Sequence, residues 1–225
     1  MRLMRMVSLG GLINNENIFS ICERTVISGS RPTMASRPAP APKRPSQLPA
    51  SKPPCTIHPS AIIADKAQIT GSHTVEIGEN AVIHPWARIR AEGGKVVIGK
   101  NSMVYEGATV GTVDGGDVLI GDFVNIETGA VVEARSVGDG STVEVNAVVG
   151  KGAVLGKWCR VAPLECVEAG EELEDFTVVY GDGRRRVDKT TKEHAEIREL
   201  KRAGQEKAVQ AMRTLIPNAM AKWAG

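Results

Sequence analysis

Branched aliphatic residues recur at every sixth position through the middle of the chain. In the stretch 98–111, "IGKNSMVYEGATVG", they fall at Ile98, Val104 and Val110. A step of six fits neither a helix face of period 3.6 nor the alternation of a lone strand. The register extends both ways: Ile57, Ile63 and Ile69; Ile77, Ile83 and Ile89; then, beyond the opening stretch, Ile120, Ile126 and Val132; Val137, Val143 and Val149; Leu155, Val161 and Val167; and finally Leu173 and Val179. Between triplets the step changes to eight, nine, ten or five. Irregularity confined to every third hexad predicts a coil of three short strands, with insertions gathered at one corner. The chain therefore reads as an all-β solenoid, a parallel β-helix of hexapeptides with about six to seven coils.

Glycine follows the aliphatic that opens a triplet at Gly78, Gly99, Gly121, Gly138 and Gly156. Those positions are expected at corners, where positive φ or close backbone approach requires it. Every sixth side chain should point inward and stack on its equivalent one coil away, about 4.8 Å along the axis. Branched aliphatics suit such a stack because little χ1 freedom is left to lose. A solenoid also leaves raw strand edges at its two ends, which need caps or partners. After Val179 the pattern changes. Thr190 with Glu193 reads as a capping box, and Ile197, Leu200, Gly204, Ala208, Ala211 and Leu215 mark the apolar face of one C-terminal α-helix ending near Pro217. That helix is expected to pack along a flat side of the solenoid.

Composition refines this picture. Only 4% of the 225 residues are aromatic, so small side chains must build the core. Net charge is +2, distributed as +6 over residues 1–54, −10 over 55–183 and +6 over 184–225. These are the expected divisions: an N-terminal arm, the β-helix, and a basic linker with the amphipathic helix. An acidic body lacks the clustered cations and stacking aromatics that nucleic-acid binding requires. No apolar run approaches the roughly 20 residues of a membrane span. Cys22, Cys55, Cys159 and Cys166 form no CxxC pair, and free thiols in a reducing compartment are the expectation. Residues 1–54 lack hexad order, and "MASRPAPAPKRPSQLPASKPP" from Met34 predicts an extended, disordered arm. The segment before Met34 has the Arg, Ser and Leu content of a weak mitochondrial presequence, or precedes the biological start at Met34.

Left-handed hexapeptide β-helices are known as acyltransferases and as zinc enzymes of the γ-carbonic anhydrase kind, and both chemistries need histidine. The chain has His58, His73, His84 and His194. His58 and His84 share the grammar "IHP-A", yet they follow register residues on different sides of their coils. A zinc site requires three converging protein ligands, and no three of these histidines can meet within one chain. "IRAEGGKVVIGKNSMVYEGATVG" resembles the γ-carbonic anhydrase segment, with Arg90 and Glu92 at positions similar to that family's Arg and Asp. Its zinc histidines would fall at Gly111, Thr128 and Glu133, and its active-site glutamine at Tyr105. No metal site and no cofactor is expected. For acyl transfer, His84 is the one candidate base on the body.

From Thr56 onward a second resemblance covers nearly everything. "HTVEIGENAVIHPWARIRAEGGKVVIGKNSMVYEGATV", the exit "TVVYGDGRRRV" and the helix closing on "MRTLIPNAMAKW" resemble the dynactin subunit 6 family, left-handed β-helix proteins of the dynactin pointed end. The resemblance implies a non-catalytic role in a hetero-oligomer, cytoplasmic and cytoskeleton-associated. It implies pairing with the sister β-helix, dynactin subunit 5, beside the pointed-end actin-related protein and dynactin subunit 4, in a complex that links dynein to cargo. Here the "VGTVDGGDVLIG" connection is shorter than the loop that family members can carry. Candidate partner-binding residues are Arg184, Arg185, Arg186, Met212 and Trp223. Thr190 and Thr191 are possible phosphorylation sites, though a helix start explains them.

Overall fold

The computed structural model describes residues 52–223. The arm expected over 1–54 lies outside them except for its last three residues. Six complete coils follow one another. They are β1 (Cys55–Ile57), β2 (Ile62–Ile63) and β3 (Gln68–Gly71); β4 (Val75–Ile77), β5 (Val82–Ile83) and β6 (Arg88–Ala91); β7 (Val96–Ile98), β8 (Met103–Val104) and β9 (Thr109–Thr112); β10 (Val118–Ile120), β11 (Asn125–Ile126) and β12 (Val131–Val132); β13 (Ser136–Val137), β14 (Thr142–Val143) and β15 (Val148–Val149); and β16 (Val154–Leu155), β17 (Arg160–Val161) and β18 (Cys166–Val167). A seventh coil contributes β19 (Glu172–Leu173) and β20 (Thr177–Tyr180). Equivalent strands pair in parallel to give three sides, and the fold is the expected left-handed hexapeptide β-helix.

The predicted register is the observed one. On the second side Ile63 pairs with Ile83, Ile83 with Val104, Val104 with Ile126, and so on through Val143 and Val161 to Val179. All seven are fully buried. Small residues two positions before each register residue, such as Ala61, Ala81, Ala108 and Ala130, fill the space between columns. Where serine replaces alanine its hydroxyl is satisfied: Ser102 donates to Gly121 O at 2.8 Å and accepts from Val124 N at 3.0 Å. Ser141 does the same with Gly156 O and Cys159 N.

The corner glycines are needed for contact rather than for φ. A Cβ on Gly138 would lie 2.6 Å from Gly156 O and Lys157 N of the next coil. Positive φ comes two residues later, at Asn80, Asn101, Phe123, Gly140 and Trp158, and at the equivalent Phe176 of the seventh coil. Bulky aromatics in that region are uncommon, and here they form an outward column along the corner between the first and second sides.

Beyond β20 the structure departs from the expected linker and helix. Residues Arg184–Val187 form a strand, β21, antiparallel to β20. Two helices follow, α1 (Lys189–Glu193) and α2 (Ala195–Leu215), and His194 sits between them rather than within one. The cap is Asp188, which accepts from Thr191 N at 3.1 Å and from Thr191 Oγ1 at 2.7 Å, so the Thr190–Glu193 box is not formed. Asp188 precedes the expected start by two residues and offers the stronger acceptor.

The packing face of α2 is also rotated by one residue from the expected one. Leu200 and Leu215 are 71% and 69% exposed. Arg198, Arg202, Gln205, Val209 and Met212 face the solenoid instead. Over the later coils the second side is polar outside and flanked by the aromatic column, so cations and amides fit it. Arg202 lies 5.7 Å from the Phe123 ring and 5.4 Å from Trp158, and Arg198 lies 5.8 Å from Phe176. Gln205 bonds Asn125 and Asn101 O. Over the first three coils the outside is apolar, and there Val209 packs on Ile62, Val82 and Met103. A 21-residue helix is about 30 Å long, and six coil steps of about 4.8 Å span nearly the same length.

Candidate interaction surface

The five residues singled out from the sequence fall at opposite ends of the solenoid. Arg184, Arg185 and Arg186 are on β21, beside the seventh coil. Their side chains alternate. Arg185 is paired in register with inward-facing Val179, and its guanidinium grips Glu171 through two contacts of 3.0 Å. It therefore spans the end of the coil. Arg184 and Arg186 point to the outer face, where Arg186 lies 5.7 Å from the Tyr180 ring.

Met212 and Trp223 are engaged at the first coil. Met212 packs against the Ile62, Val82, Met103 and Val209 cluster. Trp223 and Met220 pack against the main core beside Cys55 and Ile57. The tail between them completes the edge of β2: Asn218 Oδ1 accepts from Ile63 N at 3.2 Å, Asn218 Nδ2 donates to Ala61 O at 2.9 Å, and Ala219 N donates to Ile63 O at 2.7 Å. Lys222 Nζ adds a bond to Asp65 O. The sequence signal was "LIPNAM", where an asparagine after proline can supply both a donor and an acceptor, but nothing in its spacing tells which edge it meets.

The positions compared with a zinc enzyme do not rebuild one. Arg90 Nε lies 3.9 Å from Glu92 Oε2, while Thr70 donates to Glu92 Oε1 at 2.6 Å. Gly111 has φ +114, and a Cβ there would run into the Arg90 backbone. A histidine at that position would force the coil apart, so the backbone itself, and not only the residue identity, differs from a ligand site. Glu133 stands next to Gly111 across the β9–β12 pairing. Burial raises its carboxyl above the usual range against the pull of Arg90. Thr128 is exposed at another corner. Among the described residues no three His, Cys, Asp or Glu side chains converge as a metal set.

His84 is the buried exception, 5% exposed, and lies on a different side from exposed His58. Its ring stacks on Tyr105 at 4.5 Å, Nδ1 lies 3.8 Å from Glu106, and Nε2 has no hydrogen-bond partner among the described residues. Burial lowers its pKa, so the ring is neutral near pH 7 despite Glu106. Beyond Tyr105 a groove of about 430 Å³ runs between α2 and the second side, holding Glu127 and the Glu144–Arg160 pair. Cys55 and Cys159 are free thiols. Burial pushes the Cys159 thiol up to about 11, which leaves it unreactive.

No family model matches the chain. Among curated proteins, dynactin subunit 6 of Xenopus tropicalis is 32% identical over 143 residues, covering 58% of this chain and 70% of the relative. The chain belongs to the dynactin subunit 6 family. The family's Danio rerio member is 31% identical, with 54% of this chain and 67% of the relative covered. A carnitine operon protein, CaiE of Escherichia coli, is 27% identical over 58% of this chain and 66% of its own length. A solved hexapeptide transferase family protein from Anaplasma phagocytophilum superposes with a TM-score of 0.59 at 19% identity, covering 71% of this chain and 92% of that one, which establishes the shared fold. Within the described residues no helix is long and apolar enough to cross a membrane.

Proposed function

We propose that this chain is a non-catalytic structural subunit of the dynactin pointed-end complex, cytoplasmic and cytoskeleton-associated. It would pair with the sister β-helix, dynactin subunit 5, beside the pointed-end actin-related protein and dynactin subunit 4, in support of dynein-dependent transport. The observation that carries this reading is the 32% identity across 70% of a dynactin subunit 6. A rigid solenoid suits it physically, since stacked coils hold their outer faces at fixed separation. The positions where a related enzyme would grip zinc are occupied here by a glycine that admits no side chain, an exposed threonine and a glutamate.

Co-expression with dynactin subunit 5, followed by size exclusion with light scattering, tests the reading. A one-to-one complex is the expected result, and two separate monomers refute it. The second reading, a hexapeptide acyltransferase or γ-carbonic-anhydrase-like enzyme, draws on buried His84 with its unpartnered Nε2 and on the likeness to the bacterial protein. It predicts acyl-carrier turnover abolished in His84→Ala, or a homotrimer with stoichiometric zinc. Either result would replace the structural reading.

A further inference from the structure

The second side of the solenoid has one closed end and one open end. At the first coil, Asn218 and Ala219 occupy the edge of β2. At the seventh, β21 is the terminal strand of an eight-stranded sheet, paired with β20 on one flank and with no described residue on the other. All four of its residues are exposed. Such an edge offers a row of backbone donors and acceptors to any strand that fits.

Side chains decide which strand that is. Arg185 is committed to Glu171, but Arg184 and Arg186 stand two residues apart on the outer face, and neither has a carboxylate within ion-pair distance among the described residues. A second copy of the same edge would set arginine against arginine, which disfavours self-pairing. A strand with carboxylates at alternate positions meets the opposite condition on the same face.

We propose that the free edge of β21 docks an acidic extended segment of a partner protein, which adds to the second side as a further strand with alternate carboxylates opposite Arg184 and Arg186. This rests on the reading of the chain as an assembly subunit and specifies where the assembly contact forms. Main-chain pairing supplies the affinity and the two arginines set register and partner choice.

The test uses the full chain and a short synthetic peptide alternating glutamate with threonine and valine, titrated calorimetrically. A control peptide carries N-methyl groups on alternate amides, which keeps the charge and removes one row of donors. Binding of the parent peptide is expected. Binding should fall about tenfold or more for the control, and about tenfold for the Arg184→Glu, Arg186→Glu double variant, whose fold is checked by circular dichroism. No binding overturns the proposal. So does equal binding of the control peptide, of polyglutamate or of phosphatidylserine vesicles, since each would reveal a mere anion patch. Failure here is distinguishable from failure of the functional reading. If dynactin subunit 5 still pairs with the double variant as it does with the parent, the edge proposal falls and the assembly role stands. If the acidic peptide binds as described but no pairing occurs, the reverse holds.

Discussion

Ile126 touches its equivalents Val104 and Val143 in the neighbouring coils and is fully buried. Truncating it to alanine leaves a cavity that the stacked coils cannot collapse around, and a loss of about 2–4 kcal/mol is expected from chemical denaturation. Carboxylates that tie coils together work at the same scale. Asp139 accepts from Asp122 N at 3.0 Å and lies 3.1 Å from Lys157. Burial alone would raise its pKa, but these contacts carry it below the usual range, and the bonds from Thr191 do the same for Asp188. A depressed folded pKa means that the stabilisation is fully present above the ordinary Asp value of about 3.9 and is lost as pH falls through the lower folded values. Thermal melts should therefore weaken below about pH 4, and less steeply in Asp139→Asn. Asp188→Ala should cost about 1 kcal/mol through the lost cap. The inward residues were legible one by one because the six-residue period leaves a single face buried. Gly111 was not: its sequence neighbours give no sign that the preceding coil's backbone, at Arg90, occupies the space where a side chain would stand.

Among elements, α2 shows where pattern reading reaches its limit. Apolar periodicity picked out Leu200 and Leu215, both of which face away from the solenoid. Over the later coils the contact face is built from Arg198, Arg202 and Gln205, residues whose polarity normally marks the solvent side, while Ala208, Val209 and Met212 pack over the first three coils. What the polar residues meet could be inferred only with the aromatic column in view, since Phe123 lies two coils of sequence from Trp158, and Trp158 one coil from Phe176, and they look unrelated. Arg202→Ala removes contacts with two rings and should cost about 1–2 kcal/mol. Hydrogen exchange of the amides over 195–215 should accelerate in that variant while the solenoid amides stay protected. Leu200→Ala, which touches nothing buried, should leave both unchanged. Strand β21 was missed for a related reason: three successive arginines carry no strand alternation, and their pairing with β20 is a tertiary event.

At the level of the whole described unit, solenoids are quasi-one-dimensional, and each coil feels only its neighbours. Here one stretch of chain leaves the seventh coil as β21, returns along the second side as α2, and sets Asn218, Met220 and Trp223 against the first. Ending the chain after Ile216 should expose the edge of β2 and the apolar residues beside Cys55 and Ile57. Concentration-dependent association in sedimentation velocity is the expected outcome, and an unchanged sedimentation coefficient would argue that the tail is not a cap. The sequence-predicted need for end closure was correct in kind, yet the source was hidden, because residues 155 positions apart in the chain, Ile63 and Asn218, become neighbours only through the length of the helix. That return path turns a ladder with two independent tips into a loop under one tether. Fraying at either tip then tugs on the same strap, so the unit should melt as a whole rather than rung by rung, and a partner gripping one tip would steady the other.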